Sequence, residues 1–198
     1  MTSTVNHPFY LSLRAILKLK AKWILLIKGY RIEGNQNLPT TRKPCILIAN
    51  HAAFMDSIYI ICSVRPRFTI CGAKPKYFTT FFKRLIFRTA NILKVESKNQ
   101  FIRDCGELLK SGEIILIYPE MGRNPGGLGE FKTWAAEVAI AQKVPVIPCY
   151  LYGTTQGQAG PRRLCVGSAI YPRGNAIELT EEFRKTILNL MPENGKGQ

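Results

Sequence analysis

Cys45-Ile46-Leu47-Ile48-Ala49-Asn50-His51-Ala52-Ala53-Phe54-Met55-Asp56 is the stretch on which the reading of this chain turns. Pro44 precedes an apolar run that breaks off at Asn50-His51, the pattern of a buried strand emptying into a loop. In open α/β sheets, chemistry gathers just beyond the carboxyl ends of such strands. A histidine placed there can take a proton near neutral pH, and a carboxylate can fix its tautomer and stabilise the imidazolium. Five residues of regular helix advance by roughly 500°, so His51 and Asp56 meet only if the chain turns first and starts its helix near Ala53 or later. The residues alone leave a second possibility open, a buried histidine beside an aspartate acting as a helix N-cap.

Working outward, the 198 residues suit one domain with a sizeable core. Composition is ordinary at 46% hydrophobic, but 28 Lys and Arg against 13 Asp and Glu leave a net charge of +15. Such an excess points to a polyanionic partner: nucleic acid, an anionic membrane surface or an acidic carrier protein. It is also regional. Arg14, Lys18, Lys20, Lys22, Lys28 and Arg31 precede any acidic residue, and the span from Arg65 to Lys94 holds eight more bases and no Asp or Glu. The six cysteines sit mostly in apolar runs with no C-x-x-C spacing, which argues for reduced core thiols and against a disulfide framework or a metal site.

Residues 8 to 28 repeat at helical spacing, with Leu13, Ile16, Leu17, Ile24 and Ile27 on one stripe and Arg14, Lys18 and Lys22 on another. With Trp23 at the boundary, this predicts an amphipathic helix, either lying in a membrane interface or docked on the core with its lysines solvated. The segment lacks the features of a signal peptide, and no run reaches the ~20 apolar residues of a membrane span. The expected division is therefore an interfacial helix over 1–28 and a catalytic domain over 29–198, bound peripherally at the cytoplasmic face of a membrane.

Beyond the first loop, strands are predicted at Tyr30–Gly34, Phe68–Gly72, Ile92–Val95, Ile114–Tyr118, Val144–Tyr152 and Leu164–Ile170. Helices are predicted at Asp56–Ser63, Tyr77–Arg88, Phe101–Leu109, Trp134–Gln142 and Glu181–Leu190, with a disordered tail after Pro192. This alternation predicts an α/β fold: a mostly parallel central sheet with helices on both faces, preceded by the amphipathic segment. The strand ending at Tyr118 also empties into a polar loop, Pro119-Glu120-Met121-Gly122-Arg123-Asn124. In a parallel sheet both loops leave at one edge, gathering a base, a carboxylate and a guanidinium around one cleft. Arg123 offers a planar fork for phosphate or carboxylate, and Gly122 would admit close backbone approach. A salt-bridged loop is the alternative for Glu120 and Arg123.

These residues resemble a known family. Asn50-His51-x4-Asp56 matches the N-H-x4-D motif of the glycerolipid acyltransferases, the 1-acylglycerol-3-phosphate acyltransferase type. Tyr118-Pro119-Glu120-Met121-Gly122-Arg123-Asn124 is similar to that family's F-P-E-G-T-R-S block, and Val144-Pro145-Val146-Ile147-Pro148 to its later Pro-flanked strand. Tyr30–Gly34 with Asn37-Leu38-Pro39 looks like the family's lead-in, so the resemblance runs from about Tyr30 to Tyr152.

The resemblance implies that His51, oriented by Asp56, acts as general base on an acceptor hydroxyl, which attacks an acyl thioester directly. It implies that Glu120, Gly122 and Arg123 hold the acceptor, with Arg123 near its phosphate. The donor would be acyl-ACP or acyl-CoA, the acceptor a lysophosphatidate-like glycerolipid, with no metal or cofactor. Acidic carrier protein or CoA phosphates would suit the Arg65–Lys94 island. No G-x-S-x-G nucleophile setting competes with this direct transfer.

Two departures stand out. Met121-Gly122 replaces the family's Gly-Thr, and no arginine follows the second-block strand, where Leu93-Lys94-Val95-Glu96-Ser97-Lys98 stands. Lys94 or Lys98 is the candidate substitute. A non-glycerolipid hydroxyl or amine acceptor therefore stays open, as does a basic membrane- or polyanion-binding protein without catalysis. Nucleic acid is disfavoured, since no helix-turn-helix, RRM or zinc-finger signature is present.

Overall fold

The computed structural model describes residues 29–40, 43–64, 68–73, 92–155, 157–158 and 161–192, with the isolated positions 19, 23 and 80. The expected helices over 8–28 and 77–88 and the tail beyond 192 lie outside the described residues, apart from Leu19, Trp23 and Thr80.

Seven strands form one sheet: β1 (Arg31–Glu33), β2 (Cys45–Ala49), β3 (Phe68–Ala73), β4 (Ile92–Lys94), β5 (Ile114–Ile117), β6 (Val146–Tyr152) and β7 (Arg163–Val166). Their order is β1-β7-β6-β2-β5-β3-β4. Every neighbouring pair is parallel except β6–β7, so the mostly parallel α/β sheet read from the sequence is what the chain forms. β2 lies in the middle and is buried at all five positions, which is why it reads as an uninterrupted apolar run.

The side chains of β2 and β5 alternate between two cores. Ile46, Ile48, Ile115 and Ile117 face α2 (Lys98–Lys110), α3 (Trp134–Gln142) and α4 (Ala176–Asn189). Cys45, Leu47, Ala49, Ile114 and Leu116 face α1 (Asp56–Ser63) through Tyr59 and Ile60. Helices thus cover both faces.

Local chemistry sets the helix ends. Ser97 caps α2 by accepting from the Gln100 N–H, and Phe101, Cys105 and Leu109 follow at four-residue spacing into the core. Asn175 caps α4 by accepting from the Ile177 and Glu178 N–H groups, and Leu179, Phe183 and Ile187 form its buried stripe. α4 therefore begins five residues before the predicted Glu181. The predicted strand over Leu164–Ile170 shortens to β7, leaving Ile170 in a single antiparallel bridge to Val146. Pro148, which has no N–H to donate, falls between that bridge and the regular β6–β7 ladder that starts at Cys149 and Val166.

Among the described residues no helix is long and apolar enough to cross a membrane. Five cysteines are unbridged there, and four of them (Cys45, Cys105, Cys149 and Cys165) are buried. Burial pushes the thiols of Cys45 and Cys165 up to about 12.

Candidate active site

β2 and β5 are parallel neighbours, so the loops that follow them emerge side by side. After Ala49 the chain does not enter a helix at once. It makes a tight turn closed by the Asp56 N–H bonding to the Ala53 carbonyl, and α1 starts at Asp56 itself. That delay brings together two residues a continuous helix would separate. His51 Nδ1 lies 3.0 Å from Asp56 Oδ2.

The same carboxylate oxygen accepts from the Ala52 N–H at 2.7 Å and the Ala53 N–H at 2.8 Å. Asp56 is 0% exposed, and its other oxygen, Oδ1, is buried without a hydrogen-bond partner. Three donors on one oxygen hold the carboxylate against the loop and aim it at the imidazole. The helix N-cap is Met55, with no side-chain cap, so Asp56 does not serve as one.

With Nδ1 on Asp56, Nε2 is the ring nitrogen left for a substrate. The imidazole also lies against Tyr118, with ring centroids 4.0 Å apart and planes 14° from parallel. Tyr118 is held in turn: its hydroxyl lies 2.8 Å from Ser57 Oγ in α1. Burial keeps that phenol far above its usual range, hence neutral.

The second loop is joined to the first through backbone. The Asn124 N–H donates to the His51 carbonyl at 2.7 Å, and the His51 N–H donates to Glu120 Oε1 at 2.9 Å. Glu120 Oε2 accepts from Asn124 Nδ2 at 2.7 Å and from the Gly129 N–H at 2.8 Å. Both Glu120 oxygens are therefore occupied by the protein's own donors, and the residue is buried. Glu120, expected to help hold the acceptor, is placed as the clasp between the two loops.

Gly129 is the glycine this clasp requires, because a Cβ there would sit 2.2 Å from Asn124 Nδ2 and 2.8 Å from Glu120 Oε2. Gly122 has no such need, since an added Cβ would meet only the Glu120 carbonyl at 3.9 Å. The left-handed residue of the loop is Met121, at φ 51°, the position where the family's block carries glycine.

Arg123 stands exposed on this loop next to Asn124 and has no ion-pair partner among the described residues. Lys94 and Lys98 are placed differently. Lys94 ends β4, three strand spacings or about 14 Å across the sheet from β2, and Lys98 opens α2. Lys94 pairs with Glu96, and Lys98 Nζ pairs with Glu137 Oε1 at 2.7 Å. Neither is brought to His51, and Ser97, between them, is taken up in capping α2.

Asn50 completes the frame. Its side-chain amide accepts from the Leu151 N–H at 2.7 Å and donates to the Leu151 carbonyl at 3.1 Å, imitating one more ladder pair to β6. The sequence reading missed Tyr118 and Asn50 as parts of the site. Asn50 was visible as the motif's first residue, but nothing local marks Tyr118 as a ring partner.

A buried carboxylate thus stands behind an imidazole at the end of a central strand, and the adjoining loop carries an exposed guanidinium. The acyltransferase family profile matches residues 29–152, and the chain belongs to that family. It is 27% identical over 175 residues to a 1-acyl-sn-glycerol-3-phosphate acyltransferase of Chlamydomonas reinhardtii, covering 81% of this chain and 52% of the relative. The 1-acyl-sn-glycerol-3-phosphate acyltransferase of Escherichia coli strain K12 is 31% identical over 151 residues, covering 73% of this chain and 61% of the relative. The chain spans about half the length of the first curated relatives it matches, at 52%, 37% and 46%. The crystal structure of the Thermotoga maritima enzyme PlsC has the same fold, with TM-score 0.73 at 21% identity over 91% of this chain and 79% of that one.

Proposed function

We propose that this chain moves a fatty acyl group from an acyl thioester, acyl-ACP or acyl-CoA, to the hydroxyl of a lysophosphatidate-like glycerolipid at a membrane surface. The single observation that carries the reading is the His51 Nδ1–Asp56 Oδ2 contact at the carboxyl edge of β2. Its relatives carry the names of lysophosphatidate acyltransferases, which supports the same direction.

In this mechanism His51 Nε2 takes the acceptor hydroxyl proton as the oxygen attacks the thioester carbon. A new C–O bond forms, and collapse of the tetrahedral adduct breaks the C–S bond. The thiolate leaves and recovers the proton from the imidazolium, so charge and protons balance. Asp56 holds the imidazole and stabilises its charged form. Arg123 receives the acceptor's anionic group. The basic segment 1–28 would bind the cytoplasmic face of an anionic membrane.

The pairing of Lys94 with Glu96 and Lys98 with Glu137 favours a second reading, in which the acceptor carries no phosphate at the β4 edge. A panel of lysophosphatidate, other lipid alcohols and amines separates the two. The chemistry itself is tested by mass-detected acyl transfer with His51→Ala. The expected loss is on the order of 10³-fold or more in kcat/KM with the fold intact. Activity retained in a folded His51→Ala protein would end this mechanism.

A further inference from the structure

The His51 loop holds two large apolar side chains out in water. Phe54 is 68% exposed and Met55 47% exposed, between the buried Ala52 and Asp56. The backbone beneath them is closed. Asp56 Oδ2 takes the Ala52 and Ala53 N–H groups, the Asp56 N–H returns to the Ala53 carbonyl, and the Met55 carbonyl accepts from Ile58. These bonds fix the backbone from which both side chains project.

Single exposed apolar residues are ordinary on a protein surface. An adjacent pair at the apex of a braced loop beside a reactive histidine is a different arrangement. Among the described residues of the two loops, the carboxylates Asp56 and Glu120 are buried and Arg123 is exposed.

We propose that Phe54 and Met55 enter the interfacial layer of an anionic lipid bilayer, seating the mouth of the active site on that surface. Apolar side chains flanked by cations bind such an interface by burying apolar area and by attraction to anionic headgroups. The pair is separate in sequence from the basic segment 1–28. Only its purpose, delivery of a lipid acceptor to His51, rests on the acyltransferase reading; the insertion does not.

The test uses the full chain. Phe54→Trp is placed in a Trp23→Phe background, and its emission is compared with that background alone on vesicles of phosphatidylcholine with and without phosphatidylglycerol. A blue shift and quenching by brominated lipid, confined to the anionic vesicles, is expected. Emission unchanged from buffer on vesicles that bind the protein would overturn the proposal. Independently, a Phe54→Ser, Met55→Ser protein with a native circular dichroism spectrum should cosediment with anionic vesicles about fivefold more weakly. Equal cosedimentation overturns insertion. So does conversion of a dimer to a monomer without a vesicle effect, which would assign the pair to a second copy of the chain. The vesicles contain neither thioester nor acceptor, and His51→Ala should bind them like wild type, so insertion and chemistry fail separately.

Discussion

Asp56 and Glu120 are buried carboxylates at the exits of neighbouring parallel strands, and each collects three donors. Their arrangements differ. Asp56 places all three on Oδ2, one of them the imidazole, and leaves Oδ1 bare. Glu120 divides its three between both oxygens, and each comes from backbone or from Asn124. In the proposed mechanism the first acid touches the group that reacts; the second touches only donors of the two loops. Two residues with the same charge, burial and edge of the sheet thus separate into an orienting acid and a structural one. Their motifs look alike in the sequence because spacing reports the position of a carboxylate and not the destination of its oxygens.

The sharpest way to break this distinction is Asp56→Asn. An asparagine oxygen can still accept from Ala52 and Ala53, so the loop should survive while the negative charge behind His51 is lost. The expected result is a fall of about 10²-fold in kcat/KM, smaller than for His51→Ala, with little change in melting temperature. Thermal unfolding and acyl transfer are measured on the same preparation. A destabilised protein with near-normal specific activity would show that Asp56 is the structural acid.

Glu120→Ala should give the opposite profile. It strands the His51, Asn124 and Gly129 donors and should cost about 2–3 kcal/mol of stability by denaturant titration. Gly129→Ala, which forces a Cβ against Asn124 and Glu120, should reproduce part of that loss with no contact to His51. Full stability together with a raised KM for the acceptor in Glu120→Ala would return Glu120 to the role of acceptor grip.

The smallest effect belongs to a carboxylate outside both loops. Burial alone would raise the Glu137 carboxyl, but hydrogen bonds from Lys98 and Thr133 and the Lys98 charge outweigh it and hold the group below its usual 4.5. A folded value below the unfolded one means that the contribution is present above about pH 4.5 and is lost as pH falls through the folded value. Glu137→Gln should therefore cost about 0.5 kcal/mol at neutral pH, shrink toward zero in acid, and leave acyl transfer alone. Chemical denaturation across that pH range checks it.

Much of the fold was legible because its signals are local. The apolar run of β2 and the helices Asp56–Ser63 and Trp134–Gln142 follow from composition and periodicity, and the turn ahead of α1 follows from the geometry that His51 and Asp56 need in order to meet. Elsewhere the pattern misled. Ile177 is 69% exposed in the first turn of α4, so the apolar stripe seemed to begin late while the real signal was the Asn175 cap. The antiparallel sense of β7 has no local mark. Within the candidate site, the meeting of His51 and Asp56 could be read from spacing, but the pairing of Lys94 with Glu96 and of Lys98 with Glu137 is visible only in the folded chain.

The Tyr118 ring has a consequence for direction of approach. With Tyr118 flat against one face of the imidazole and Asp56 on Nδ1, that face is closed to a substrate and Nε2 is the ring nitrogen left to it. In the proposed mechanism the alcohol reaches Nε2 close to the plane of the ring, where that nitrogen's lone pair lies, and the thioester carbon waits on the alcohol's far side. On that reading an aromatic wall that takes no part in the bond-making narrows the directions from which the acceptor can come.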